Sequence, residues 1–277
     1  MKIAIVGFQG CGKSTVFKAL TGSQKIDPSK PNLGRVKVKD EKLENLASIF
    51  KPKKKTSEEL IFVDLPGFNL PSIKEIKGIE AVMHVVGVFS GRDYMKDIEN
   101  MELEFMLSDL SIIEKRLLHL EKELKSKPSG EFEIEKKVLL DCKESLDLNK
   151  PMRELKLGRD QEKVITGYQF LSRKPVFILA NLEEGRISSK ITDEIDAYCK
   201  KIDLKSVAFC AKIEAEIQDL EAEERAEFIK GLGLEKLISE KIIETARDIL
   251  GLITFFTVKG DETKAWPLPK DTTAIEA

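Results

Sequence analysis

No apolar run in this 277-residue chain approaches the ~18–20 residues that a membrane-spanning helix needs. The chain enters an apolar, strand-like segment almost at its first residue, so no signal peptide is expected and the cytoplasm is the expected compartment. Cysteine is scarce. Cys11, Cys142, Cys199 and Cys210 lie far apart and form no C-x-x-C pair, which argues against a zinc site or a redox dithiol. Histidine is scarcer still. His84 falls in an apolar strand and His119 in a helix, each without acidic or cysteine companions, so both read as structural rather than metal-ligating. Neither sign of charge is in excess. A formal net charge of −2 argues against wholesale nucleic-acid or membrane binding, and neither a membrane nor sequence-specific DNA is an expected partner. Repeats and low-complexity tracts are also missing. What remains, 34% charged and 42% hydrophobic residues, is the composition of a globular protein with room for one large domain or two smaller ones.

Against these absences stands one dense motif. Ile3-Ala4-Ile5-Val6 reads as a buried strand and Thr15-Val16-Phe17-Lys18-Ala19-Leu20 as the start of a helix. Between them runs Gly7-Phe8-Gln9-Gly10-Cys11-Gly12-Lys13-Ser14, which is strand, G-x-x-x-x-G-K-S, helix: a phosphate-binding loop in its required context. Glycines let successive backbone N–H groups of Gln9, Gly10, Cys11 and Gly12 turn inward around phosphate, and the helix start at Ser14-Thr15 adds a favourable dipole. Lys13 is expected to reach the β- and γ-phosphates, and the Ser14 hydroxyl to coordinate Mg²⁺. Cys11 has two readings here: a thiol made reactive by a nearby helix N-terminus, or a small residue that fits the loop.

Short apolar segments without alternation at Ile3–Val6, Arg35–Val38, Leu60–Val63, Ala81–Val88, Val176–Ala180 and Val207–Cys210 read as strands buried on both faces, with helices between them. This is an α/β domain with a mostly parallel sheet. The texture changes from about Asp97. Leu103, Met106, Leu110, Ile113, Leu117, Leu120 and Leu124 alternate spacings of three and four, a heptad seam. Lys127-Pro128-Ser129-Gly130 breaks that helix, and Ile134, Val138, Leu139, Cys142 and Leu146 mark a second. An antiparallel helical hairpin follows, either an arm that meets a partner or a brace on the main domain. Acidic residues outnumber basic ones between 97 and 165, which disfavours an RNA clamp along its length. Later, Ile213 to Leu250 is helix-rich and Leu252 to Val258 is a strand candidate. The basic run Lys51-Pro52-Lys53-Lys54-Lys55 reads as a solvated turn.

Three further segments choose among nucleotide-binding classes. Leu60-Ile61-Phe62-Val63-Asp64-Leu65-Pro66-Gly67 is a strand ending in D-x-x-G, where GTPase-like proteins hold Mg²⁺ through the Asp and sense the γ-phosphate with the Gly N–H. Asn181-Leu182-Glu183-Glu184 ends another strand where a guanine reader has N-K-x-D; Leu182 replaces the Lys and Glu184 the Asp. The Asn181 amide suits either the purine N7 or the loop backbone. Cys210-Ala211-Lys212 has the flavour of the S-A-K loop that lies against the base. A P-loop kinase would leave these last two segments without a role.

Together these residues resemble the YchF/Obg-like ATPase family. The likeness continues through Pro31-Asn32-Leu33-Gly34, His84-Val85-Val86, Asp97-Ile98-Glu99, Ile213-Glu214-Ala215-Glu216-Ile217 and Lys264-Ala265-Trp266, and so spans essentially the whole chain. It implies a P-loop G domain at 1–96 and 166–250, an inserted antiparallel coiled-coil arm at 97–165, and the incomplete beginning of a TGS-like β segment at 251–277. It further implies binding of ATP or GTP with Mg²⁺, slow hydrolysis carried by Lys13, Asp64 and Gly67, and the ribosome or its subunits as partner. A GTP-specific GTPase and a non-hydrolysing adaptor that docks through the arm are the alternatives. Three departures from the family bear on hydrolysis more than on binding. Gln9-Gly10-Cys11 stands where Pro-Asn-Val is usual, Pro28 falls at the Mg²⁺-binding Thr, and Phe68-Asn69-Leu70-Pro71-Ser72 replaces a Gly-rich switch.

Overall fold

The computed structural model of this chain describes residues 1–23, 25–65, 78–89, 92–184, 189–221, 224 and 238–275. In chain order its strands are β1 (Lys2–Val6), β2 (Asn32–Lys37), β3 (Lys54–Thr56), β4 (Glu59–Asp64), β5 (Ile79–Val88), β6 (Val176–Leu182), β7 (Lys205–Phe209), β8 (Leu252–Lys259) and β9 (Glu262–Pro269). One sheet has the order β2-β4-β1-β5-β6-β7. All its pairs are parallel except β2 with β4. β6 is buried at each of its positions, which is why it carries no polar alternation. Parallel strands bring their carboxyl ends to one edge. The loop after Val6, Asp64, Asn181 and Cys210 are therefore gathered from distant sequence by topology.

Helices α1 (Lys13–Thr21), α2 (Glu41–Phe50), α6 (Ser189–Lys201), α7 (Ala211–Asp219) and α8 (Ile238–Ile249) belong to the same compact unit. α2 begins where the Asp40 carboxylate accepts from the N–H groups of Lys42 and Leu43, a side-chain cap. Phe17, Phe62, Phe177 and Phe209 are fully buried in the core with Ile3, Ile5 and Val85. Each contributes on the order of 1.5–3 kcal/mol by leaving water.

The basic run differs from its reading as a solvated turn. Lys54–Thr56 form β3, which pairs in parallel with β9 at Lys54↔Glu262 and Thr56↔Lys264. Ion pairs flank this pairing: Lys53 meets Asp261 at 2.7 Å, Lys54 meets Glu262 at 3.0 Å and Lys55 meets Glu44 at 2.6 Å. β9 pairs antiparallel with β8, with Phe255 opposite Trp266. Residues 252–269 thus complete a small sheet with 54–56, and it lies in the same unit as the large one.

The second unit includes Asp93–Pro175, inserted between the paired strands β5 and β6. It holds α3 (Tyr94–Ser126), α4 (Gly130–Asp147), a 3-10 turn at Met152–Glu154 and α5 (Arg159–Thr166). The Asp93 side chain caps α3 through the Lys96 N–H. Met106, Ile113 and Leu120, seven residues apart, are buried with Val138, Leu139, Cys142 and Leu146 of α4. Leu110 and Leu117 are half-buried beside them. Leu103 departs from the expected seam and is 42% exposed. α4 is 18 residues against 33 in α3, so an antiparallel partner of that length ends before it reaches Leu103. Asp109 pins the return of the chain by accepting from Leu171 N–H at 3.0 Å and Ser172 N–H at 2.7 Å. Ile113→Ala is expected to cost about 2–5 kcal/mol locally. Hydrogen exchange across 106–146 should accelerate while nucleotide affinity is retained; a parallel loss of affinity would contradict an independently packed hairpin.

Candidate functional site

The loop between β1 and α1 has the geometry that its glycines foretell. Gly10 and Gly12 sit at φ +80° and +92°, a region where side chains are strained. A Cβ on Gly12 would also stand 2.3 Å from Asn181 Nδ2. Lys13 folds back over the loop, its Nζ donating to Gly7 O at 2.7 Å. Gln9, Gly10, Ser14 and Thr15 are exposed, whereas Cys11 is buried at 1%. That burial suits the reading of Cys11 as a small residue fitting the loop. A second sign is its Sγ, which lies 2.6 Å from where a Gly7 Cβ would be.

Asp64 ends β4 at 3% exposure, and its Oδ1 has no hydrogen-bond partner among the described residues. Burial pushes its carboxyl pKa upward, while the Lys13 charge and hydrogen bonds with Ser14 and Asn32 pull it back. An orphaned buried carboxylate oxygen beside a serine hydroxyl is a hard-oxygen donor pair. It fits Mg²⁺, which keeps several waters and takes phosphate oxygens for the rest. Among the described residues no cluster of His, Cys, Asp or Glu offers a self-sufficient metal cage. Gly67, assigned with Asp64 from the sequence, lies outside the described residues, as does Phe68.

At the other end, Asn181 meets the backbone of the loop. Its Nδ2 donates to Cys11 O at 3.1 Å and its Oδ1 accepts from Ala211 N–H at 3.0 Å. One buried amide therefore ties the phosphate loop to the Cys210-Ala211-Lys212 segment. Both partners lie far from Asn181 in the chain, so the tie is not visible in the sequence. Glu184 pairs with Lys212 at 2.9 Å, both side chains largely in solvent. The cavity beside them, about 340 Å³, is lined by Ser14, Thr15, Lys18, Ile26, Lys212 and Glu216. It is of a size to take part of a nucleoside. Lys18 and Glu216 were not singled out in the sequence, since each is one charged helix residue among many. Asn32 was also missed as a site residue. It stands opposite Asp64 in the β2–β4 register, which is visible only once those strands pair.

The unit that carries this site has relatives. Residues 2–129 match a family model described as 50S ribosome-binding GTPase. The chain is 32% identical to the ribosome-binding ATPase YchF of Bacillus subtilis, over 98% of this chain and 82% of that protein. It is 31% identical to the protein of the same name from Escherichia coli O157:H7, over 100% of this chain and 83% of that one. The solved structure of the Schizosaccharomyces pombe YchF GTPase superposes with a TM-score of 0.80 at 24% identity, covering 99% of this chain and 82% of that one, which shows the fold. With a phosphate loop, a strand-end aspartate and an Asn-x-x-Glu turn on one sheet edge, and identity above 30% across its whole length, this chain belongs to the YchF family of P-loop GTPase-fold proteins.

Proposed function

We propose that this chain binds ATP with Mg²⁺, hydrolyses it slowly, and acts with the ribosome as a nucleotide-dependent switch in the cytoplasm. The observation that carries the base preference is the Glu184–Lys212 ion pair at 2.9 Å. A guanine reader needs a short carboxylate free to accept from N1–H and the exocyclic amine. Here the side chain is one methylene longer and faces an ammonium. Leu182, at the lysine position of that element, is buried in β6. Adenine, which presents an amine without the N1–H, loses nothing by this arrangement. The ribosome enters through the relatives, which are ribosome-binding ATPases.

Slow turnover follows from the residue after D-x-x-G. Phe68 can neither donate nor accept a hydrogen bond, so it cannot orient an attacking water as a glutamine there does. Unassisted hydrolysis below about 10⁻² s⁻¹ is the expected rate. Calorimetric titration of ATP, ADP, GTP and GDP into one preparation tests the base preference. ADP is expected to bind at least as tightly as GDP. GDP binding tenfold tighter than ADP, about 1.4 kcal/mol, would overturn the reading. Glu184→Asp combined with Leu182→Lys is expected to shift preference towards guanine.

A further inference from the structure

We propose that Arg92 is a catalytic residue: an arginine supplied by this chain itself that stabilises the charge developing on the γ-phosphate during hydrolysis. The proposal rests on the reading of the loop as a triphosphate site. Three observations place the guanidinium. Its Nη1 donates to Gln9 O at 3.0 Å, at the exposed tip of the phosphate loop. The same nitrogen lies 3.5 Å from where a Cβ on Gly10 would be, so it covers the tip. Its backbone N–H donates to Phe89 O at 3.2 Å, which ties it to the residue that follows β5. β5 is itself in tight register with the loop. A Cβ on Gly87 would stand 3.2 Å from Cys11 Cα, and one on Gly7 only 2.4 Å from Val85 O. Arg92 is therefore carried to the loop by a packed strand end.

Charge supports the placement. Burial, and after it the charges of Lys13 and Arg92, depress the pKa of His84 behind the loop, so two positive charges act on the same few residues. Lys13 comes from the helix side and Arg92 from the β5 side. A planar guanidinium can hold a backbone carbonyl and a phosphate oxygen in one plane, which an ammonium cannot. In the reaction a water oxygen forms a bond to the γ-phosphorus and the bond to the β–γ bridging oxygen breaks. ADP leaves with that electron pair, and the water's protons pass to phosphate and solvent. Arg92 neither gives nor takes a proton. It donates hydrogen bonds to oxygens whose charge rises in the transition state, where such donors act most strongly. An aspartate follows at Asp93, but that side chain is occupied in capping α3.

A purely structural Arg92 would brace the loop and serve every nucleotide alike, whereas a catalytic one acts on the transition state alone. The test compares Arg92→Ala and Arg92→Lys with the parent. It reads ADP affinity, single-turnover ATP hydrolysis, and binding of ADP with aluminium fluoride as a mimic of the transferring phosphoryl. The expected result for Arg92→Ala is ADP affinity within about threefold of the parent, hydrolysis slower by about 10²-fold or more, and loss of the aluminium fluoride complex. Arg92→Lys is expected to keep ADP affinity and recover only part of the rate. Unchanged hydrolysis with an intact aluminium fluoride complex would overturn the proposal and leave the triphosphate reading standing. ADP affinity falling in step with the rate would make Arg92 a brace of the loop and overturn it equally. A parent protein that neither binds nor turns over ATP would remove the reading on which it rests.

Discussion

Lys13→Ala is expected to weaken triphosphate binding by about a hundredfold or more, with the fold intact. The ammonium already lies across the loop, donating to Gly7 O at 2.7 Å. On binding it exchanges that neutral acceptor for phosphate oxygens, and a charge-assisted hydrogen bond is worth about 1.5–3 kcal/mol. A second loss adds to the first. The Lys13 charge is the largest influence opposing the upward push of burial on the Asp64 carboxyl. Without it Asp64 protonates more readily, so the oxygen that suits Mg²⁺ is more often neutral. The variant should thus lose both affinity for ATP and the extra affinity that Mg²⁺ confers, and the second loss should deepen as pH falls towards the carboxyl range. Titration of ATP with and without Mg²⁺ at two pH values measures both. A Lys13→Ala protein that binds MgATP as tightly as the parent would sink the assignment of this loop.

The loop was legible because all its chemistry is contiguous. Glycines, lysine and serine at fixed offsets between a strand and a helix leave little to tertiary structure. The sheet was legible for a related reason: strands buried on both faces spell themselves as apolar runs, as β6 does. What escaped was set by pairing between distant segments. β3 is two lysines and a threonine, which no propensity reads as a strand. It exists because β9 offers its backbone for pairing, with Asp261 and Glu262 beside the lysines. Asn32 gained its place only through the register that sets it opposite Asp64. Arg92 depends on β5 ending against Cys11, a close approach that two glycines permit and no periodicity encodes. Leu103 kept the heptad spacing and still faces solvent, because a seam is buried only as far as its partner helix extends. Periodicity reports a face, whereas burial needs something to cover it.

His84 illustrates that gap and carries the last expectation. On sequence it was a structural histidine in an apolar strand, and it is buried in β5, paired in register with Val6 and Ile178. Neither ring nitrogen has a hydrogen-bond partner among the described residues. Burial, and then the positive charges of Lys13 and Arg92, lower its pKa from 6.5 to about 3. The folded protein therefore holds it neutral, while the unfolded chain protonates it near 6.5. Its neutral form is accommodated at full stability above that pH. As the pH falls below it, the unfolded state binds the proton first, and stability drops by on the order of 1.4 kcal/mol per pH unit until the folded-state value is reached. His84→Leu removes this dependence and two unsatisfied nitrogens together. The parent is expected to lose about 2 kcal/mol more than the variant between pH 7 and pH 5, read from urea midpoints. Carboxylates are common to both proteins, so their contribution cancels in the difference. Parallel curves would mean that the imidazole is charged or hydrated in the fold, so that burial does not hold it neutral.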